Sequence, residues 1–168
     1  TEPGLAGSVF QMVAHGIMTA LLFTLVNMVY DKSHVRDMTR MGGFGHSQPG
    51  LATFFVIAGL SSLGLPALAG FVAEFLVFLG AWSSAHPWWV FPAVLGAFVT
   101  AVYVLRAVTR IFLGPPNPDF PELEDARGME WVTLVVLGGL LLVFGLYPRL
   151  LLDSIDVGVV ELLSKWGG

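Results

Sequence analysis

The chain reads as an all-α integral membrane bundle: four transmembrane helices, the second of them broken at Gly64–Pro66, and an amphipathic helix at the C-terminal end. Three observations predict this. Of 168 residues, 55% are hydrophobic and only 12% charged, where a soluble domain carries about a quarter charged, and the mean hydropathy is +0.78. Four apolar stretches are long enough to cross a bilayer as helix, which takes roughly 20 residues. They are solidly apolar rather than alternating, which argues against membrane strands. The net charge of −4 gives no basis for a nucleic-acid partner, and the absence of cysteine excludes disulfides, thiolate nucleophiles and cysteine-held iron–sulfur clusters on this chain. The first residues, Thr1-Glu2-Pro3-Gly4, carry no initiator Met, basic n-region or cleavage site. No signal peptide is read there, and the chain is expected to be a fragment, a processed chain or the product of a split gene.

The first span is 8–30, followed by a polar stretch, 31–48, that holds Lys32, His34, Arg36, Asp37 and Arg40. The second apolar run, 50–82, is too long for one straight span. It would reach about 50 Å at the helical rise, against a hydrocarbon core of about 30 Å. Its middle holds Gly64 and Pro66, both poor inside a helix, and Pro66 removes a backbone donor. Two half-helices joined at membrane depth are expected, an arrangement tolerated where protein or a wet cavity satisfies the freed backbone and a recurrent pointer to transport sites. A short turn, 83–87, leads to the third span, 88 to about 105, which continues as a basic helix end through Arg106 and Arg110. The segment 114–128, with several prolines and acids, is a loop, and 129–147 is the fourth span, closed by Pro148-Arg149.

Basic residues set orientation in membranes. Lys32, Arg36 and Arg40 lie between spans one and two, and Arg106, Arg110 and Arg127 between spans three and four. Loops 31–48 and 114–128 are therefore expected on the cytoplasmic side and both termini on the other, where Trp82, Trp88 and Trp89 would form an aromatic belt. Residues 1–149 make the transmembrane part and 150–168 a separate tail. In the tail Ile155, Val159, Leu162, Leu163 and Trp166 recur at helical spacing, with Asp153, Asp156, Glu161 and Lys165 largely elsewhere. That pattern fits a helix lying in the interface plane.

Two titratable residues sit where charge is costly: His15 in the first span and Glu74 in the second. Ionisable groups in spans are rare and by default mark an ion or proton path. Counted from the far side, His15 lies about 10 Å in and Glu74 about 12 Å at the helical rise, so the two are expected at similar depth. Burial favours the uncharged form of each, while an opposite charge nearby favours the charged form; such a pair can hand a proton across. Gln11 and Thr19 lie one turn either side of His15 and extend it into a polar stripe that can hold water. The opposing reading is a packed histidine and a helix-bonding glutamate in a structural membrane spacer. His34, His46 and His86 read as surface residues. No metal-ligand spacing, phosphate-binding glycine motif or nucleophile elbow is present, so neither a metal nor a catalytic residue is assigned.

Several motifs in order resemble one family. Ser8-Val9-Phe10-Gln11-Met12-Val13-Ala14-His15-Gly16, Ala20-Leu21-Leu22-Phe23, Tyr30-Asp31-Lys32-Ser33-His34-Val35-Arg36-Asp37 and Met41-Gly42-Gly43 come first. Leu63-Gly64-Leu65-Pro66, Gly70-Phe71-Val72-Ala73-Glu74-Phe75, Tyr103, Arg110, Phe112-Leu113-Gly114 and Gly145-Leu146-Tyr147-Pro148 follow. Together they are similar to the antiporter-like membrane subunits of proton-pumping NADH–quinone oxidoreductase, respiratory complex I, over essentially the whole chain. Glu74 matches the M-type chains of that family, since the terminal L-type carries lysine there. The resemblance implies about fourteen transmembrane helices, of which this chain holds the last four and the surface helix that braces neighbouring subunits. It implies that Glu74 and His15 carry protons in the outer half-channel. It implies no cofactor here, with NADH, FMN, iron–sulfur clusters and quinone in other subunits. Implied partners are the L- and N-type chains, a chain or segment supplying the missing N-terminal helices, and the lipid of a bacterial inner membrane. The family's paired glutamate and lysine lie upstream of Thr1, so this chain alone is not expected to pump. Multisubunit cation/proton antiporters and membrane-bound hydrogenases share the fold and are the alternative.

Overall fold

A computed structural model of the chain describes residues 1–166, all helix, turn or loop, with no strand among them. The side chain of Trp166, expected to end the apolar face of the tail, lies outside the described residues, as do 167 and 168. The first helix, α1 (Glu2–Ser33), overruns the predicted span at both ends. Pro3 in the first turn starts it, where a missing N–H costs nothing. His34 ends it in the left-handed region at φ 53°, returning its N–H to the Tyr30 carbonyl. Phe10, Ala14, Met18, Leu21, Leu25 and Met28 recur every three or four residues and are buried as one face.

The second run is two helices, α2 (Pro49–Ser62) and α3 (Ala69–Trp82), of 14 residues each. Each is about 21 Å long, too short to cross alone. Between them Gly64 and Ala67 take positive φ, 62° and 79°. The break satisfies its own backbone: Leu63 N–H donates to Gly59 O at 3.2 Å, Leu65 N–H to Leu60 O at 3.1 Å, and the Ser62 hydroxyl to Gly59 O at 2.7 Å. After a turn at Pro87–Trp89 come α4 (Val90–Phe112), α5 (Met129–Leu146) and α6 (Arg149–Trp166). Counted with its leading turn, α4 joins α1 and α5 as a helix long and apolar enough to span a membrane. The α2–α3 pair makes the fourth crossing.

Helix α1 is the hub and packs on α2, α3, α5 and α6. Its antiparallel seam with α3 is made by small residues. A Cβ on Gly80 would overlap Gly4, one on Gly7 would lie 2.7 Å from Leu76 Cβ, and the Thr1 hydroxyl donates to Gly80 O at 2.9 Å. Such residues let helix backbones close up where lipid offers no hydrophobic drive. The two basic loops interlock at the other end. Gly43 N–H donates to Leu113 O at 3.0 Å, and Asp125 accepts from Gly50 N–H at 2.7 Å and Leu51 N–H at 3.0 Å. Lys32 Nζ reaches both Glu130 oxygens at 2.9 Å. In the same region the backbone N–H and hydroxyl of Thr39 hold the Asp37 carboxyl below its ordinary value of 3.8. Helix α6 lies on α1 through Leu151, Leu152, Ile155 and Val159, while Asp153 and Asp156 face outward and Leu162 is exposed.

Candidate functional site

The break positions the site. Gly70, in the first turn of α3, faces the Ser61 carbonyl so closely that any Cβ would overlap it. Glu74 follows one turn later on the same face. Its side chain folds back along α3, and its carboxylate occupies the space where a Cβ on Gly64 would stand. Gly64 is thus required twice, by its positive φ and by the carboxylate.

Around Glu74 four helices enclose a cavity of about 210 Å³. Gln11, His15 and Met18 enter it from α1, Ser61 and Ser62 from α2, Glu74 from α3, and Thr100 and Tyr103 from α4. Two of its polar atoms, Gln11 Oε1 and Ser61 Oγ, are buried without a hydrogen-bond partner. Buried polar atoms normally have partners, protein or water, and a polar cavity of this size has room for several waters at about 30 Å³ each. The site is therefore a hydratable chamber with a carboxylate at one wall and an imidazole at another. Glu74 is half-buried and His15 lies at the open side, exposed on the surface of this chain. No hydrogen bond joins the two among the described residues.

Because α1 begins at Glu2, its seam pairs Gly4 with Gly80 and Gly7 with Leu76. Followed inward, that antiparallel register brings Gln11 and His15 alongside the first turns of α3, where the Glu74 carboxylate folds back toward Gly64. Thr19 is not in the chamber: its hydroxyl is spent on the His15 carbonyl at 2.7 Å and the Gly16 carbonyl at 3.2 Å. Of the helix breakers, Gly64 adjoins the carboxylate, whereas Pro66 is exposed on the connecting turn. His34, His46 and His86 are exposed, and His46 bonds the Gly114 carbonyl at 3.0 Å. No group of three metal-ligating side chains stands together among the described residues.

Sequence reasoning missed Ser61, Ser62, Thr100 and Tyr103. A signal existed for each pair. The serines lie three and two residues before the glycine of the break, and Thr100 and Tyr103 form an i, i+3 polar pair on the third span, like the stripe read on the first.

Comparison with known proteins adds the following. Residues 1–100 match the family model described as NADH:quinone oxidoreductase/Mrp antiporter, TM. NADH-quinone oxidoreductase subunit M of Rickettsia prowazekii (strain Madrid E) is 37% identical over 167 residues, 99% of this chain and 34% of the relative. NAD(P)H-quinone oxidoreductase chain 4 2 of Synechococcus sp. (strain JA-2-3B'a(2-13)) is 37% identical over 173 residues, 98% of this chain and 32% of the relative. The chain thus spans about a third of the length of the curated relatives it matches. Among solved structures, a chain of respiratory complex I from Thermus thermophilus with bound NADH superposes with a TM-score of 0.86 at 30% identity, covering 97% of this chain and 35% of that one. A chain of the Mrp complex from Dietzia sp. DQ12-45-1b gives the same TM-score, 0.86, at 20% identity, with 96% and 38% covered, a likeness of fold.

Proposed function

Because the chain belongs to the transmembrane family of NADH:quinone oxidoreductases and Mrp antiporters, we propose that it forms the outer half of a proton-translocation channel in a membrane subunit of a proton-pumping NADH:quinone oxidoreductase. The observation that carries this reading is the chamber itself: Glu74, His15, Gln11 and Ser61 converge on it, two of their polar atoms unpartnered, at a helix break. A membrane carboxylate beside hydratable space is the arrangement a proton exchanger needs. Glu74 takes up a proton at a carboxylate oxygen from water in the chamber and releases it toward the outer side. His15, at the open side, exchanges protons with the upstream part of the channel. Gln11 holds water in the chamber that Glu74 lines. Thr19 is not among the residues lining the chamber.

The chain works within a larger assembly. A chain or segment carrying the family's remaining helices partners it, and L- and N-type membrane subunits are its neighbours in a bacterial inner membrane. The basic loops face the cytoplasm and α6 lies in the outer interface, bracing an adjacent subunit. Nicotinamide, FMN, iron–sulfur and quinone chemistry belongs to partner subunits, and this chain carries no cofactor. Identity supports the oxidoreductase branch: two such relatives are 37% identical over 98–99% of this chain.

Glu74→Gln in the assembled complex is the test. It keeps shape and removes the exchangeable charge. Pumping per electron, measured as acidification of inside-out vesicles, should fall about a hundredfold, the low end for a positioned proton-transfer group, with assembly unchanged. Normal pumping would make the chain a spacer.

A further inference from the structure

Hydroxyls inside helices satisfy themselves locally by bonding a carbonyl one turn back. In the spans Ser8, Thr19, Thr24, Thr53, Ser62, Thr100, Thr109 and Thr133 all do so, at 2.7–3.3 Å. Ser61 does not. It is only 2% exposed, its hydroxyl has no partner, and it lines the chamber that holds Glu74. Its neighbour Ser62, in the same last turn of α2, takes the usual bond. The difference is one of position: Ser61 sits over Gly70, where α2 and α3 meet, its carbonyl filling the place of the missing Cβ and its hydroxyl 3.5 Å from that place.

From this we propose that Ser61 is a relay group for protons reaching Glu74, a role that rests on the channel reading above. A hydroxyl both accepts and donates. A proton arriving through water forms a new bond to Ser61 Oγ as the original O–H proton leaves through water to a Glu74 carboxylate oxygen. Ser61 ends as it began, one proton is transferred, and the carboxylate becomes neutral. The titratable groups facing Ser61 across the chamber are Glu74 from α3, His15 from α1 and Tyr103 from α4. Tyr103 is exposed on this chain, which leaves Ser61 as the buried hydroxyl of the chamber.

The test uses the complete complex, with pumping per electron and its pH profile as readouts. A purely structural Ser61 predicts no loss in Ser61→Ala, because the hydroxyl holds nothing in the protein. A relay predicts about a tenfold fall in pumping, the scale of a lost hydrogen bond to a charged group, a pH profile displaced from that of the native complex, and recovery in Ser61→Thr. Ser61→Cys, close in size and a weak donor, should lie between. Should Ser61→Ala not assemble, Ser61→Cys decides alone. Native pumping and an unmoved pH profile in the alanine or cysteine variant, with Glu74→Gln inactive, overturn the relay and leave the channel standing. Native pumping in Glu74→Gln overturns both.

Discussion

Gly64 shows how one residue can answer to two demands. Its φ of 62° suits glycine, and the Glu74 carboxylate fills the place of its missing Cβ. Gly64→Ala should therefore act beyond its backbone strain. The left-handed conformation costs alanine about 1 kcal/mol, seen as a lower melting temperature of the complex, and the new methyl must displace the carboxylate. We expect assembled complex with markedly reduced pumping. A variant that melts earlier but pumps normally would show that the carboxylate's seat is immaterial. From the sequence, Gly64 and Pro66 were legible as breakers and Glu74 as a costly charge. Their contact was not, because it needs the chain to reverse through Ala67 at φ 79°, a residue with no glycine-like signature.

At the scale of elements, the broken span is held from outside itself. The N-terminus of α2 exposes amide groups that no local side chain caps, and Asp125, 75 residues along the chain from Gly50, accepts two of them. A carboxylate there also meets the positive end of the helix dipole. Gln48, fully buried, adds a bond from Nε2 to the Glu124 carbonyl at 3.0 Å. Asp125→Ala should cost about 1–2 kcal/mol, the range for a lost cap, and should release the 113–128 loop to proteolysis in detergent-solubilised complex. Unchanged cleavage would place the cap's contribution elsewhere. The loop was legible from its prolines and acids. Its capping role was not, since the two partners share no local pattern.

Across the whole molecule, the seam between α1 and α3 sets the register of everything in the chamber. Gly4 faces Gly80 backbone to backbone, so Gly80→Ala has no flexible side chain to push aside. Forced separation should cost about 1–3 kcal/mol, as for overpacking elsewhere, and should slide Gln11 away from Glu74. Reduced melting temperature and reduced pumping together are the expected result. Gly139→Ala, where a Cβ meets nothing within 4 Å, should leave both unchanged. The predicted start of α1 at Ser8 lost this seam, because Glu2, Pro3 and Gly4 do not look apolar, yet Pro3 starts the helix and Gly4 anchors its packing.

Composition and period were enough to establish a bundle of apolar helices, the break near Gly64, and the His15 imidazole and Glu74 carboxyl as costly groups within the spans. These follow from costs each residue carries alone: charge in hydrocarbon, proline in a helix, length against bilayer thickness. Which groups share one chamber, and that Ser61 joins it while Thr19 does not, were decided by tertiary packing. Rotation and register of one helix on another depend on where small residues from distant parts of the chain come face to face, and no single segment encodes that.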